Sequence, residues 1–112
     1  STKQACTEES LATALIHGWL ERLEPGGAWG KLYYVLIGTK LFRYNNPSGQ
    51  TSLGSCLVKG AKVDFVYEED IDGKERVVSI EAEGEAQMIL SASDDDTFGL
   101  WFSALNNVAQ QN

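Results

Sequence analysis

Seven short β-strands followed by one amphipathic helix is the architecture that this 112-residue sequence predicts. Two observations carry it. From Ile16 to Ala92, apolar residues recur mainly at a spacing of two, interrupted at short intervals by glycine- and proline-bearing turns. After Ser93 the spacing switches to three and four, the mark of a helix with one apolar stripe. Seven short antiparallel strands cannot pack as one flat sheet, because one face would stay wet and both edges open. A mainly β fold is therefore expected: a seven-stranded barrel of two near-orthogonal antiparallel sheets, with the C-terminal helix capping its open corner. The length fits one domain, and 43% hydrophobic residues are enough for a compact core.

The first ten residues, "STKQACTEES", have neither a basic start nor an apolar stretch, so they are not read as a signal peptide. Their polar character and missing initiator methionine suggest a segment of a longer protein. Residues 1–15 are expected to be an N-terminal tail with a short helix through "EESLATAL", capped by Thr7, although nothing in the pattern shows what receives its apolar face. Residues 16–111 form the domain. In "IHGWLERL", Ile16, Gly18, Leu20 and Arg22 share one side. "EPGGA" is a turn, and "KLYYVLIG" follows as the strongest strand, with Leu32, Tyr34 and Leu36 on one face. Gly38 and Thr39 turn it into "KLFRYN". "NPSGQ" is a loop, and "TSLGSCLV" and "AKVDFVYE" are two further strands. The acidic turn "EDIDGK" leads to a last hairpin, "ERVVSIEA" and "EAQMILSA". Ser93 is placed to cap the helix, with acids after it at the positive end of the dipole. Phe98, Trp101, Phe102, Leu105, Val108 and Ala109 make the apolar stripe.

Sixteen acidic against nine basic residues give a net charge of −7, which argues against nucleic-acid binding, a function built on neutralising phosphates. It also weakens attraction to an anionic leaflet, though a local basic patch can outvote the total. The two cysteines, Cys6 and Cys56, lie in unrelated contexts, and the absence of cysteine clusters suits a reducing compartment, so a cytoplasmic parent protein is expected. No base–nucleophile spacing or glycine-rich phosphate loop points to an enzyme; His17 stands alone on a strand, and Cys56 reads as an inert buried thiol. Glu68, Asp70, Asp72 and Gly73 echo a calcium loop, but its twelfth position falls on Ser79, where a bidentate carboxylate is required. No metal or cofactor site is expected.

Taken in order, "GWLER", "W-x-K-x-Y-Y-V-L", "KLFRY", "LGSCLV" and "MILSAS-DDD", ending in "F-x-x-W-F-x-x-L", give the chain a family likeness. Over residues 16 to 110 it resembles a pleckstrin homology (PH) domain. The resemblance implies a recognition module without chemistry. Phosphoinositide-binding members carry a Lys or Arg near the end of the first strand, then Lys/Arg-X-Arg at the start of the second. Arg22 matches the first position, while Gly30 and Leu32 occupy the other two. Strand parity turns Arg22 and Leu32 into the open mouth of the barrel and Lys31 outward, leaving one inward cation. Each charge-assisted hydrogen bond to a headgroup is worth roughly 1.5–3 kcal/mol, so losing two removes roughly 3–6 kcal/mol.

The expected function is thus a protein-interaction and targeting module of a larger signalling, cytoskeletal or trafficking protein, without tight specific phosphoinositide binding. Leu23 and Trp29 in the first loop are the candidate partner contacts. The alternative is weak or atypical binding of phosphoinositides or anionic membranes through Arg22, Lys31, Lys40 and Arg43, at the periphery of the membrane.

Overall fold

The computed structural model describes residues 8–47 and 52–111. The elements are α1 (Glu8–Thr13), β1 (Ile16–Leu23), β2 (Trp29–Ile37), β3 (Lys40–Tyr44), β4 (Gly54–Leu57), β5 (Lys62–Val66), a 3-10 turn (Glu68–Asp70), β6 (Val77–Glu81), β7 (Met88–Ser91) and α2 (Asp95–Ala109). Every paired strand is antiparallel, and the order across the sheet is β4-β3-β2-β1-β7-β6-β5. Hydrogen bonding is continuous, so the two expected sheets are halves of one, joined where Glu21 and Arg22 of β1 meet Ser91 and Leu90 of β7. The sheet does not close: β4 and β5 are its free ends.

α2 covers that opening. Its buried stripe of Trp101, Leu105, Val108 and Ala109 enters the main core with Leu20, Tyr34, Leu36, Leu41, Val58, Ile80 and Leu90. At its C-terminal end the Ala109 carbonyl accepts a hydrogen bond from Gly60 N at 2.9 Å, tying the helix to the β4–β5 connection. The Trp101 indole faces Gly18 of β1, where an added Cβ would lie 3.7 Å from Nε1. A longer side chain there would push the helix outward.

The first hairpin behaves as its pattern predicts. Leu20, Leu32, Tyr34 and Leu36 face the main core, while Tyr33 and Val35 face the other way. Gly38, at φ 60°, supplies the left-handed residue that the tight β2–β3 turn requires. The opposite face of β2 and β3 has a smaller core of Tyr33, Val35 and Tyr44, and Leu11 and Ala14 pack onto it. That is the surface that receives α1, which local pattern alone did not reveal. Thr7 lies outside the described residues.

Helix α2 starts one residue later than the sequence suggests. Asp94 is the cap: its φ of −148° is extended, and its Oδ1 accepts from Thr97 N at 2.7 Å. Ser93 instead donates from Oγ to Asp94 Oδ2 at 3.3 Å. Both residue types cap helices, and a carboxylate adds favourable charge at the positive end of the dipole. The acidic segment after β5 coils into the 3-10 turn, and Asp72 and Gly73 then reverse the chain with φ of 55° and 79°.

Candidate functional site

The loop end of the β1–β2 hairpin is built by register. Arg22 stands opposite Gly30, Leu20 opposite Leu32, and Gly18 opposite Tyr34. Leu20 and Tyr34 belong to the main core, so Arg22 lies at the end of the inward-facing row. On the next strand Arg43 is opposite Tyr34 and also opposite Gly54 of β4. It shares the face of Leu41, a core residue, and its guanidinium lies over Gly54, where an added Cβ would come within 2.5 Å of Nη2. The mouth therefore holds two inward cations, Arg22 and Arg43, where motif reading on the first hairpin finds one.

A carboxylate opposes them. Glu24 folds back over Gly30, and a Cβ on that glycine would sit 2.7 Å from Glu24 Oε1. One of the two vacated motif positions is thus covered by negative charge, and the other is the apolar Leu32, packed against the core. Beneath lies Tyr34, fully buried, with no hydrogen-bond partner for its hydroxyl among the described residues. Burial pushes its phenol up to about 12, while Arg22 and Arg43 pull against the rise and Glu24 adds to it. All three charges thus act on one hydroxyl.

The remaining predicted site residues are dispersed. Lys31 is exposed on the outer face, opposite Glu21, with Nζ 5.7 Å from the centre of the Trp19 ring. Lys40 pairs with Ile37 beside the β2–β3 turn, three residues along β3 from Arg43 and on the opposite face, roughly 10 Å away along the strand. It cannot share a ligand of ordinary size with Arg22, because the β2–β3 turn lies at the end of the hairpin remote from the mouth. Leu23 and Trp29 are cross-strand partners at the end of β1–β2. They border a groove of about 320 Å³ whose other wall is Ile71 to Lys74.

Lys74 was not legible as a site residue. Its Nζ lies 4.9 Å from the Trp29 ring centre and donates to Glu21 Oε1 at 2.7 Å, binding the β5–β6 connection to the first hairpin. It follows a glycine in an acidic turn, and nothing local marks it. Arg76 was missed for the same reason. Held at φ 57°, it donates from Nε to the Ala92 carbonyl at 3.2 Å and approaches Asp95 at 3.6 Å.

Elsewhere, Cys56 is buried and free, its thiol pushed up by burial, with Glu85 adding to the rise and Arg43 opposing it. Cys6 lies outside the described residues. His17 Nδ1 is hydrogen-bonded to the Tyr33 hydroxyl on the outer face. Among the described residues, no cluster of His, Cys, Asp and Glu is arranged to hold a metal ion, and no helix is long and apolar enough to cross a membrane.

Solved structures decide the fold. The human PH domain of pleckstrin homology domain-containing protein family A member 5 superposes with a TM-score of 0.79 at 21% identity, covering 97% of this chain and 84% of that one. This chain has the PH-domain fold. The C-terminal PH domain of pleckstrin, solved in complex with D-myo-Ins(1,2,3,5,6)P5, gives 0.72 at 20% identity over 87% of this chain and 96% of that one. The Slm1-PH domain in complex with D-myo-inositol-4-phosphate gives 0.72 at 17% identity over 88% and 98%. No protein-family model matches the sequence, and neither does any curated protein sequence. At these identities the PH likeness is one of architecture.

Proposed function

We propose that this PH-fold domain is a protein-interaction and targeting module of a larger cytoplasmic protein, and that it does not bind phosphoinositides tightly. The observation that supports this most directly is Glu24 folded over Gly30, in the mouth where a headgroup-binding member carries a cation. With Leu32 beside it, the mouth offers a net charge of about one positive to a ligand carrying several negative charges. Among the described residues, Arg22 and Arg43 are the cations that act on the Tyr34 hydroxyl, with no third to complete a cradle.

One observation favours a second reading, weak binding of anionic headgroups at the same place. The buried Tyr34 hydroxyl is an unused donor near both arginines, and an anionic oxygen entering the mouth would satisfy it. The inositol-phosphate complexes among the similar structures are consistent with that chemistry. Cosedimentation with vesicles, with and without a few per cent phosphoinositide at low and physiological salt, separates the two. The interaction-module reading expects no binding, or weak binding that disappears with salt and ignores headgroup stereochemistry. Tight, headgroup-selective binding at physiological salt overturns it.

A further inference from the structure

A second surface lies away from the mouth, where β5 ends and α2 begins. Phe65 and Tyr67 meet edge to face at 5.0 Å, Phe65 and Phe98 at 5.7 Å, and Phe98 stacks on Phe102 at 5.7 Å. Helix packing only partly covers this aromatic run: Phe65 is 44% exposed and Tyr67 61%. Phe65, Tyr67 and Phe98 floor an open groove of about 430 Å³, and its rim includes Glu68, Glu69, Glu75 and Asp95. The rim's one cation, Arg76, is occupied by the Ala92 carbonyl and by the Asp95 and Glu75 carboxylates. The neighbouring cations are also engaged, Lys74 with Glu21 and Lys62 with Asp64.

An exposed aromatic floor under a carboxylate rim has a definite complement. A lysine or arginine side chain can lay its aliphatic stem on the rings, bring its charge near a ring face, and end on a carboxylate. An anionic surface would be repelled by the same rim, and a purely apolar segment would partly desolvate its carboxylates while Arg76, shared between Glu75 and Asp95, is the rim's one cation to offset them. We propose that the groove between β5 and the first turn of α2 docks a basic segment of a partner protein, seating one lysine or arginine between Phe65, Tyr67 and Phe98 and the carboxylates of Glu68 and Glu75. The proposal rests on the interaction-module reading and gives that partner a chemistry. Residues flanking the bound cation contribute through apolar contact with the exposed rings, and for that reason a free amine is a poor substitute.

The test is an amide NMR titration of the intact chain with the hexapeptide acetyl-Gly-Leu-Lys-Phe-Arg-Gly-amide. Its counterpart with both cations replaced by glutamine, and lysine amide alone, serve as controls. Saturable shifts are expected at residues 65–69, 75–76 and 95–98, with affinity falling at least about fivefold for the glutamine peptide and weakening with salt. The double variant Glu68→Gln with Glu75→Gln, and separately Tyr67→Ser, should each weaken the peptide about threefold to tenfold while melting like the parent protein, because these side chains are exposed. Arg22→Gln should leave peptide binding unchanged. Absence of saturable shifts, equal binding of the glutamine peptide or of lysine amide, or shifts confined to the mouth or to Trp29 overturns the proposal. The vesicle experiment reads Arg22 and Arg43, and the titration reads the groove, so either proposal can fail while the other stands.

Discussion

The mouth of the β1–β2 hairpin and the groove between β5 and α2 carry opposite chemistry at two places on one small sheet. In the mouth, two arginines face a buried phenol, and Glu24 is folded over the one glycine that could have carried a third cation. In the groove, four carboxylates ring a set of half-exposed aromatics, and the only arginine is consumed by its neighbours. The net charge of −7 therefore does not describe either place. A total charge constrains bulk behaviour, whereas recognition depends on which face each charge occupies.

Substitutions at four positions would break or sharpen that contrast, and the largest effect comes from the element the groove leans on. Trp101 is 2% exposed in the main core, so Trp101→Ala should lower stability by about 3–5 kcal/mol in chemical denaturation. Because α2 forms one wall of the groove and none of the mouth, the variant should lose groove chemistry first; equal loss at both places would show that they are not independent. Leu32→Arg restores an inward cation at the mouth. It should tighten binding of a soluble inositol polyphosphate by about tenfold to a hundredfold in calorimetry, the equivalent of roughly 1.5–3 kcal/mol. An unchanged affinity would mean that the mouth lacks the headgroup geometry as well as the charge.

Arg76 joins the groove rim to the start of α2 through the Ala92 carbonyl and Asp95, from a left-handed backbone. Arg76→Ala should destabilise by about 1–2 kcal/mol, since it removes those contacts and keeps an unfavourable φ. Arg76→Gly also loses the contacts but relieves the backbone, so it should melt higher than the alanine variant. The reverse order would place the cost in chain entropy instead. The smallest effect is at the Asp94 cap, whose carboxyl is held below its usual value chiefly by the hydrogen bond from Thr97 N. A lowered folded-state pKa stabilises above the unfolded value, and that contribution disappears as pH falls through the folded one. Asp94→Ala should therefore melt lower than the parent at neutral pH, and the gap should narrow as the solution is acidified below the ordinary carboxylate range. A constant gap would show that the carboxylate's charge plays no part.

Much of the fold was legible because its determinants are local. Alternation in "KLYYVLI" assigned Leu32, Tyr34 and Leu36 to the core, and the three-and-four spacing from Phe98 to Val108 announced α2. Parity likewise put Arg22 inward and Lys31 outward on the first hairpin. Legibility stopped where a contact joins distant segments. Read as a solvated acidic turn, "EEDIDGK" gave no sign of the roles of Lys74 or of Arg76 just beyond it, whose partners Glu21 and Ala92 are far away in sequence. The partner surface of α1 was equally invisible, since Leu11 and Ala14 pack on residues of β2 and β3.

By itself the sequence determined which residues are apolar, at what period, and where the chain must turn, and these set seven strands, one helix and the inward rows. Only the tertiary structure decided that the sheet stays open between β4 and β5, that Arg43 joins Arg22 at the mouth, and that Glu24 lies over Gly30. It also brought Tyr67 and Glu68 beside Asp95 and Phe98. The physical reason is range. Periodicity is fixed by neighbours a few residues apart, whereas a charged side chain's environment is fixed by strands that meet only after the chain has closed on itself.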